Sequence, residues 1–221
     1  MLVPSLAPAP EKWSEQDRFE AALLTGDRRQ AIEIIGHLTQ TGHSLVEINV
    51  FLIQTTLVNI GLKWQSNQIS IAQEHLATAT AQTVMADSFS KSALPPLNGK
   101  KVLLACIEGN HHSVGLRMVS DAFELAGWDV QFLGANAPTR ALIEQVTHWK
   151  PDLVGLSISF PHQLSVTREA ITSLRAQLGD GCPRIMIGGA AVNRFPALAQ
   201  CIDADSHASD ALAALRHPLN P

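Results

Sequence analysis

Cysteine, surplus basic charge and catalytic constellations are all scarce in this chain, and each scarcity removes a class of function. Cys106, Cys182 and Cys201 are the 3 cysteines of 221 residues. An odd number at wide spacing supports neither a disulfide framework nor a zinc site, so reduced core thiols of a cytoplasmic protein are expected. Lys and Arg total 16 against 20 Asp and Glu, a formal net charge of −4. With basic residues scattered as well, direct DNA binding is not expected, because phosphate-binding surfaces are basic and clustered. Pro4, Pro8 and Pro10 open the chain without a cationic n-region or a long apolar run, which reads as a flexible tail over 1–13 and not as a signal peptide. No later stretch is expected to span a membrane. No nucleophile–base set, P-loop or metal triad marks an independent enzyme.

What is present changes character part-way along. From Ser14 to about Ser90 apolar residues recur at helical spacing, which predicts four helices in a bundle over 14–91. The first stops at Gly26, and the second runs from Asp27 to about Thr39. Ser44-Leu45-Val46-Glu47 and Ser70-Ile71-Ala72-Gln73 carry the reciprocal capping pattern and mark the third and fourth starts. Pro95, Pro96 and Gly99 interrupt any regular element, so 92–100 reads as a linker. Strand-length apolar runs then alternate with helical segments over 101–217. The strands are expected at 102–107, 129–133, 153–157 and 184–187, with a weak fifth near 204–208. The helices are expected at 113–126, 139–148, 163–178 and 196–201. Alternation of this kind predicts an α/β fold, a flavodoxin- or Rossmann-like parallel sheet covered on both faces.

Ligands of open parallel sheets bind outside the carboxyl ends of the strands. The loop after the first strand reads Asn110-His111-His112-Ser113-Val114-Gly115, and a glycine in the first helical turn permits close approach of backbone or ligand. Gly188 and Gly189 follow the fourth strand and repeat the device. Ser157 and Ser159, at the end of the third, offer hydroxyls to the same slot.

Residues 100–216 resemble the cobalamin-binding domain family, whose signature is Asp-x-His-x-x-Gly, then Ser-x-Leu, then Gly-Gly. Here the signature stands as Asn110 to Gly115, Ser157-Ile158-Ser159 and Gly188-Gly189. The resemblance implies that His112 binds cobalt from below in place of the cofactor's own base; neutral imidazole is a good nitrogen donor. His111 is out of register for that role. Asn110 stands where the family has an acid that accepts the ligand's other N–H; its amide carbonyl can accept without the charge, which implies a more easily exchanged ligand. Ser159 replaces the usual leucine. Gly134 to Thr139, including Asn136, resembles the loop that skirts the corrin edge, and of the remaining histidines only His162 lies close to the site.

In the helical half, Trp64 is followed after nine residues by Glu74-His75, which resembles the cap of CarH-type cobalamin-dependent light-sensing regulators. The resemblance implies an indole over the upper axial group and two polar contacts to an adenosyl moiety, chemistry that an aromatic face with donors and acceptors suits. The Glu108 to His112 run also resembles free-standing antirepressors of the AerR or PpaA type. Together these imply a cobalamin-dependent photoreceptor acting on transcription through a partner regulator or output domain. Adenosylcobalamin would be bound in the dark and hydroxocobalamin after light, with an oligomeric state that can change on illumination. The alternative reading is a corrinoid methyl carrier of a methyltransferase system.

Overall fold

The computed structural model describes residues 13–216, and its contacts divide between Ser92 and Ala93 into two compact units. The expected tail lies outside the described residues except for Trp13. That residue departs from the expectation: it is 7% exposed, with its ring 4.6 Å from that of His43 and 6.4 Å from that of Phe51. His217 and the residues after it also lie outside the described range.

The first unit is a bundle of four helices: α1 (Gln16–Thr25), α2 (Arg28–Gln40), α3 (Leu45–Gln65) and α4 (Ile71–Ser90). Gly26 ends α1 in the left-handed conformation at φ 74°, and the Asp27 side chain accepts from the Gln30 N–H to start α2. Capping boxes are formed at Ser44 with Glu47 and at Ser70 with Gln73. The hydrogen bonds from Ser44 hold the Glu47 carboxyl below its ordinary range. Phe19, Leu23, Ile48, Leu52, Ile53 and Ile60 form the center of the bundle at 1% exposure or less.

Sequence periodicity did not foresee the middle of α3, where Ile48–Gln54 winds as a π-helix between two α-helical ends. The whole helix is 21 residues with a mean hydropathy of 1.6 in its most apolar window. This corrects the expectation that no stretch reaches membrane-spanning length. Its apolarity serves the bundle, since Ile48, Leu52, Ile53 and Ile60 point into the core.

The second unit is an α/β fold with a five-stranded parallel sheet in the order β2-β1-β3-β4-β5. The strands are β1 (Lys101–Ile107), β2 (Asp129–Ala137), β3 (Leu153–Ser157), β4 (Arg184–Gly188) and β5 (Ser206–Ala208). Central strands of a parallel sheet are covered on both faces and read as near-continuous apolar runs. Accordingly β1 is buried from Val102 to Ile107 and β3 along its whole length. Leu103, Ala105, Ile107, Val154, Leu156 and Ile187 meet α6 (Thr139–Trp149), α7 (Leu164–Leu178) and α8 (Ala190–Arg194) on one face. Val102, Leu104, Cys106, Leu153 and Met186 meet α5 (Val114–Leu125) and α9 (Ala211–Arg216) on the other.

Several expectations are corrected here. β2 continues through Ala137, so most of the Gly134 to Thr139 segment is strand and not loop. Residues Pro196–Cys201 form a 3-10 turn, preceded by the unforeseen α8 and followed by the unforeseen α9. The second half of the expected linker is docked. The Asn98 N–H donates to the Gly127 carbonyl at 2.7 Å and its side-chain amide to the Ala126 carbonyl at 3.1 Å. Of the three cysteines only Cys106 is a buried thiol; Cys201 is exposed.

Asp121 of α5 is 1% exposed and accepts from Arg117 Nε at 2.8 Å. Burial outweighs the guanidinium and pushes its carboxyl up to about 6. A folded-state value above the unfolded one means that its stabilizing contribution is complete below pH 4 and lost as pH rises through about 6. The loss amounts to about 3 kcal/mol for a shift of this size. Asp121→Asn should therefore gain on the wild type as pH rises from 4 to 8; parallel denaturation curves across that range would exclude this account.

Candidate cofactor site at the carboxyl ends of the sheet

In the strand order β2-β1-β3-β4-β5, the chain reverses its direction of winding between β1 and β3. A crevice at such a switch point is where open α/β sheets hold ligands. The β1 loop, Glu108 to Ser113, and the β3 loop, from Ile158 onward, both open there.

His112 is exposed, and among the described residues no hydrogen bond engages its imidazole. Its ring meets the ring of Phe160 edge-on, with centroids 5.1 Å apart at 76°. The backbone beneath is tightly held. Its N–H donates to Asn110 Oδ1 at 3.0 Å, and its carbonyl accepts from the Cys106 thiol at 3.6 Å. Burial pushes that thiol up to about 11, which keeps its proton in place as a donor.

Asn110 is 0% exposed, and its amide is used on both sides, donating from Nδ2 to the Ser157 carbonyl at 2.9 Å while Oδ1 serves His112. The expected role is thereby corrected: the carbonyl of Asn110 meets the main chain of His112 and not its ring. A buried amide must satisfy donor and acceptor together, and the Ser157 carbonyl is the acceptor within reach. An aspartate at 110 would turn an oxygen toward that carbonyl.

Asn136 also serves the β1 loop. It sits at φ 50°, and its Oδ1 accepts from the Gly109 N–H at 2.8 Å. Glu108 accepts from the Thr139 N–H at 3.0 Å and so caps α6. Sequence reasoning missed Gln163, whose side chain bonds the Ser159 and Phe160 N–H groups and the Gly109 carbonyl. Its only sequence signal was a polar residue just after Pro161 at a helix start.

The glycines divide into two kinds. Apart from its chain neighbors and its own helix backbone, a Cβ on Gly115 would meet no atom of the described residues within 4 Å, so packing does not require glycine there. A Cβ on Gly189 would lie 2.4 Å from the Ile158 carbonyl oxygen, and one on Gly188 would lie 2.8 Å from that of Ala208. At both positions the backbone packed against the α-carbon leaves no room for a side chain.

A B12 binding domain model matches residues 100–216, and a second B12 binding domain model matches 15–86. The chain belongs to the B12-binding family. It is 28% identical over 196 residues to the HTH-type transcriptional repressor CarH of Myxococcus xanthus, a match covering 87% of this chain and 62% of that protein. It is 34% identical over 90 residues to the HTH-type transcriptional repressor CarA of the same organism, covering 41% and 31%. The chain thus spans less than two thirds of either repressor. Dimethylamine corrinoid protein 3 of Methanosarcina acetivorans is 26% identical over 169 residues, covering 72% of this chain and 78% of that one. The fold is shared with the monomethylamine corrinoid protein of Methanosarcina barkeri, at a TM-score of 0.76 and 18% identity over 93% of this chain and 99% of that one.

As a member of the B12-binding family the chain binds cobalamin, and its residues fit that cofactor. Among the described residues no three His, Cys, Asp or Glu side chains gather into a metal site. A corrin brings its own ring nitrogens, so one accessible imidazole with a free ring nitrogen is enough. Gly115, open where a Cβ would stand, leaves room beside it for a large ligand.

In the first unit Trp64, in the last turn of α3, is 42% exposed and not a core residue. In α4, His75 Nδ1 lies 2.6 Å from Glu74 Oε2, and the other Glu74 oxygen accepts from Thr78 at 3.0 Å. A carboxylate on Nδ1 fixes the tautomer and leaves Nε2 free.

Proposed function

We propose that the chain is a cobalamin-dependent light-responsive regulator that acts on transcription through a partner protein in the cytoplasm, and not as an enzyme. His112 is the lower ligand to cobalt, with Asn110 and Ser157 holding its loop. Gly115, Asn136, Ser159, Gly188 and Gly189 shape the surroundings of the corrin and its nucleotide tail. Trp64, Glu74 and His75 receive the adenosyl group. When bound, adenosylcobalamin supplies a cobalt–carbon bond that visible light cleaves. What this chain adds is a cap whose polar pair is already oriented: Glu74, tied to Thr78, aims the His75 imidazole outward. That preorganised pair, in a helical unit that also exposes the indole of Trp64, carries the reading, since a methyl group would use neither a donor nor an acceptor. The likeness to CarH over 87% of the chain supports it. The partner is a DNA-bound regulator, because a chain of net charge −4 has little to offer a phosphate backbone.

A second reading, a corrinoid methyl carrier, is favored by the match to dimethylamine corrinoid protein 3, which spans 78% of that protein. Dark reconstitution separates the two. The regulator should retain adenosylcobalamin over methylcobalamin and change its spectrum and oligomeric state on illumination. Trp64→Ala should loosen adenosylcobalamin by about tenfold, the scale of one large aromatic contact, and spare hydroxocobalamin. Equal retention of both cofactors with no response to light would leave the carrier.

A further inference from the structure

Gln163 is 2% exposed and lies outside the family's signature residues, yet its side chain joins the two loops that meet at the switch point. Oε1 accepts from the Ser159 N–H at 3.0 Å and the Phe160 N–H at 3.1 Å, while Nε2 donates to the Gly109 carbonyl at 2.9 Å. The first two groups belong to the β3 loop. The third belongs to the β1 loop, three residues before His112. Phe160, so held, sets its ring against the His112 imidazole at 5.1 Å, and His162 stacks on its ring at 5.5 Å and 11°.

We propose that Gln163 is a positioning residue for His112. Its amide fixes the separation of the two loops, and through Phe160 it restricts the rotation of the imidazole plane. This rests on the reading of His112 as the ligand to cobalt. Neither leucine nor glutamate does the same work at this position. Leucine fills the volume and leaves three backbone groups without partners; glutamate satisfies both N–H groups but turns an oxygen toward the Gly109 carbonyl. A ligand held in a single rotamer loses less freedom on binding, so loosening the strap weakens the imidazole–cobalt bond.

The test loads [15N]histidine-labelled full-length chain with cob(II)alamin and follows the nitrogen splitting in its electron paramagnetic resonance spectrum against pH. Protons compete with the metal for the imidazole, so a weaker ligand detaches at higher pH. Gln163→Leu should weaken ligation about tenfold or more, the scale for losing the supports of a metal-bound histidine, moving the detachment midpoint up by about one pH unit. Gln163→Glu, which keeps two of the three bonds and covers the case that leucine prevents folding, should fall between. Amide exchange in the cofactor-free protein should accelerate at Ser159 and Phe160 in Gln163→Leu. His112→Ala is the control: if it leaves the labelled-nitrogen splitting unchanged, the assignment of His112 fails. If that control behaves and the folded Gln163 variants keep the wild-type midpoint, the positioning role is overturned.

Discussion

His112→Ala is expected to remove the histidine-bound absorbance of the cobalamin-loaded protein while leaving the apoprotein folded. The imidazole is exposed, and its only ring contact among the described residues is the edge of Phe160. The loop's hydrogen bonds run through the backbone of residue 112, so alanine preserves the bonds to Asn110 and Cys106. Apoprotein melting should change little, as for surface substitutions generally. Cobalamin retention should fall at least as far as the roughly 10- to 100-fold seen when the supports of a metal-bound histidine are removed. The measurement is the pair of absorption spectra together with binding titrations. An unaltered spectrum would transfer the ligand's role to another residue.

Gly189→Ala is expected to be the most destabilizing single-methyl change in the second unit. Its φ of 104° lies where L side chains are strained, and the added carbon would fall 2.4 Å from the Ile158 oxygen and 2.9 Å from its nitrogen. Neither atom can retreat: the Ile158 N–H donates to the Gly188 carbonyl at 2.9 Å, and its carbonyl accepts from the Ala191 N–H at 3.1 Å. Strain of about 1–3 kcal/mol and overpacking of about 1–3 kcal/mol combine to roughly 2–6 kcal/mol. Gly115→Ala makes the comparison, because it adds its methyl to open space in a helix. It should stabilize the apoprotein by up to about 1 kcal/mol and still weaken cobalamin binding. If the two substitutions shift apoprotein unfolding alike, the distinction drawn between these glycines is wrong.

Local chemistry was legible in the sequence wherever it acts over a few residues. Ser44 with Glu47 and Ser70 with Gln73 close the capping boxes that their spacing announced, and uninterrupted apolar runs marked β1 and β3. Elements decided by partners distant in sequence were not. Gly134, Asn136 and Pro138 look like a loop, yet pairing with β1 carries β2 through Ala137. The π-helical turns of α3 carry no composition of their own, and α8 is too short to show a period. The loop bearing His112 was singled out from its residue types and its place after a strand, and the role of His112 from the family resemblance. Its supports at Gln163 and Phe160 were not, because they act across 54 residues in one case and through a ring contact in the other. Gly189 was noticed for a close approach, and the packing of Ile158 against it supplies one that the sequence did not announce.

The sheet's two borders bear on how this chain avoids its own kind. β2 is a border strand of nine residues, long enough to template another strand. Its register against β1 slips twice: Leu104 faces Phe132, Ala105 faces Gly134, and Ile107 faces Ala137. An intruding straight strand would match only the stretch before Leu133 and then fall out of step, while β5 at the opposite border offers just three residues. Open-ended stacking into fibrils is thereby discouraged by geometry alone, with no charged sentinel needed on either margin.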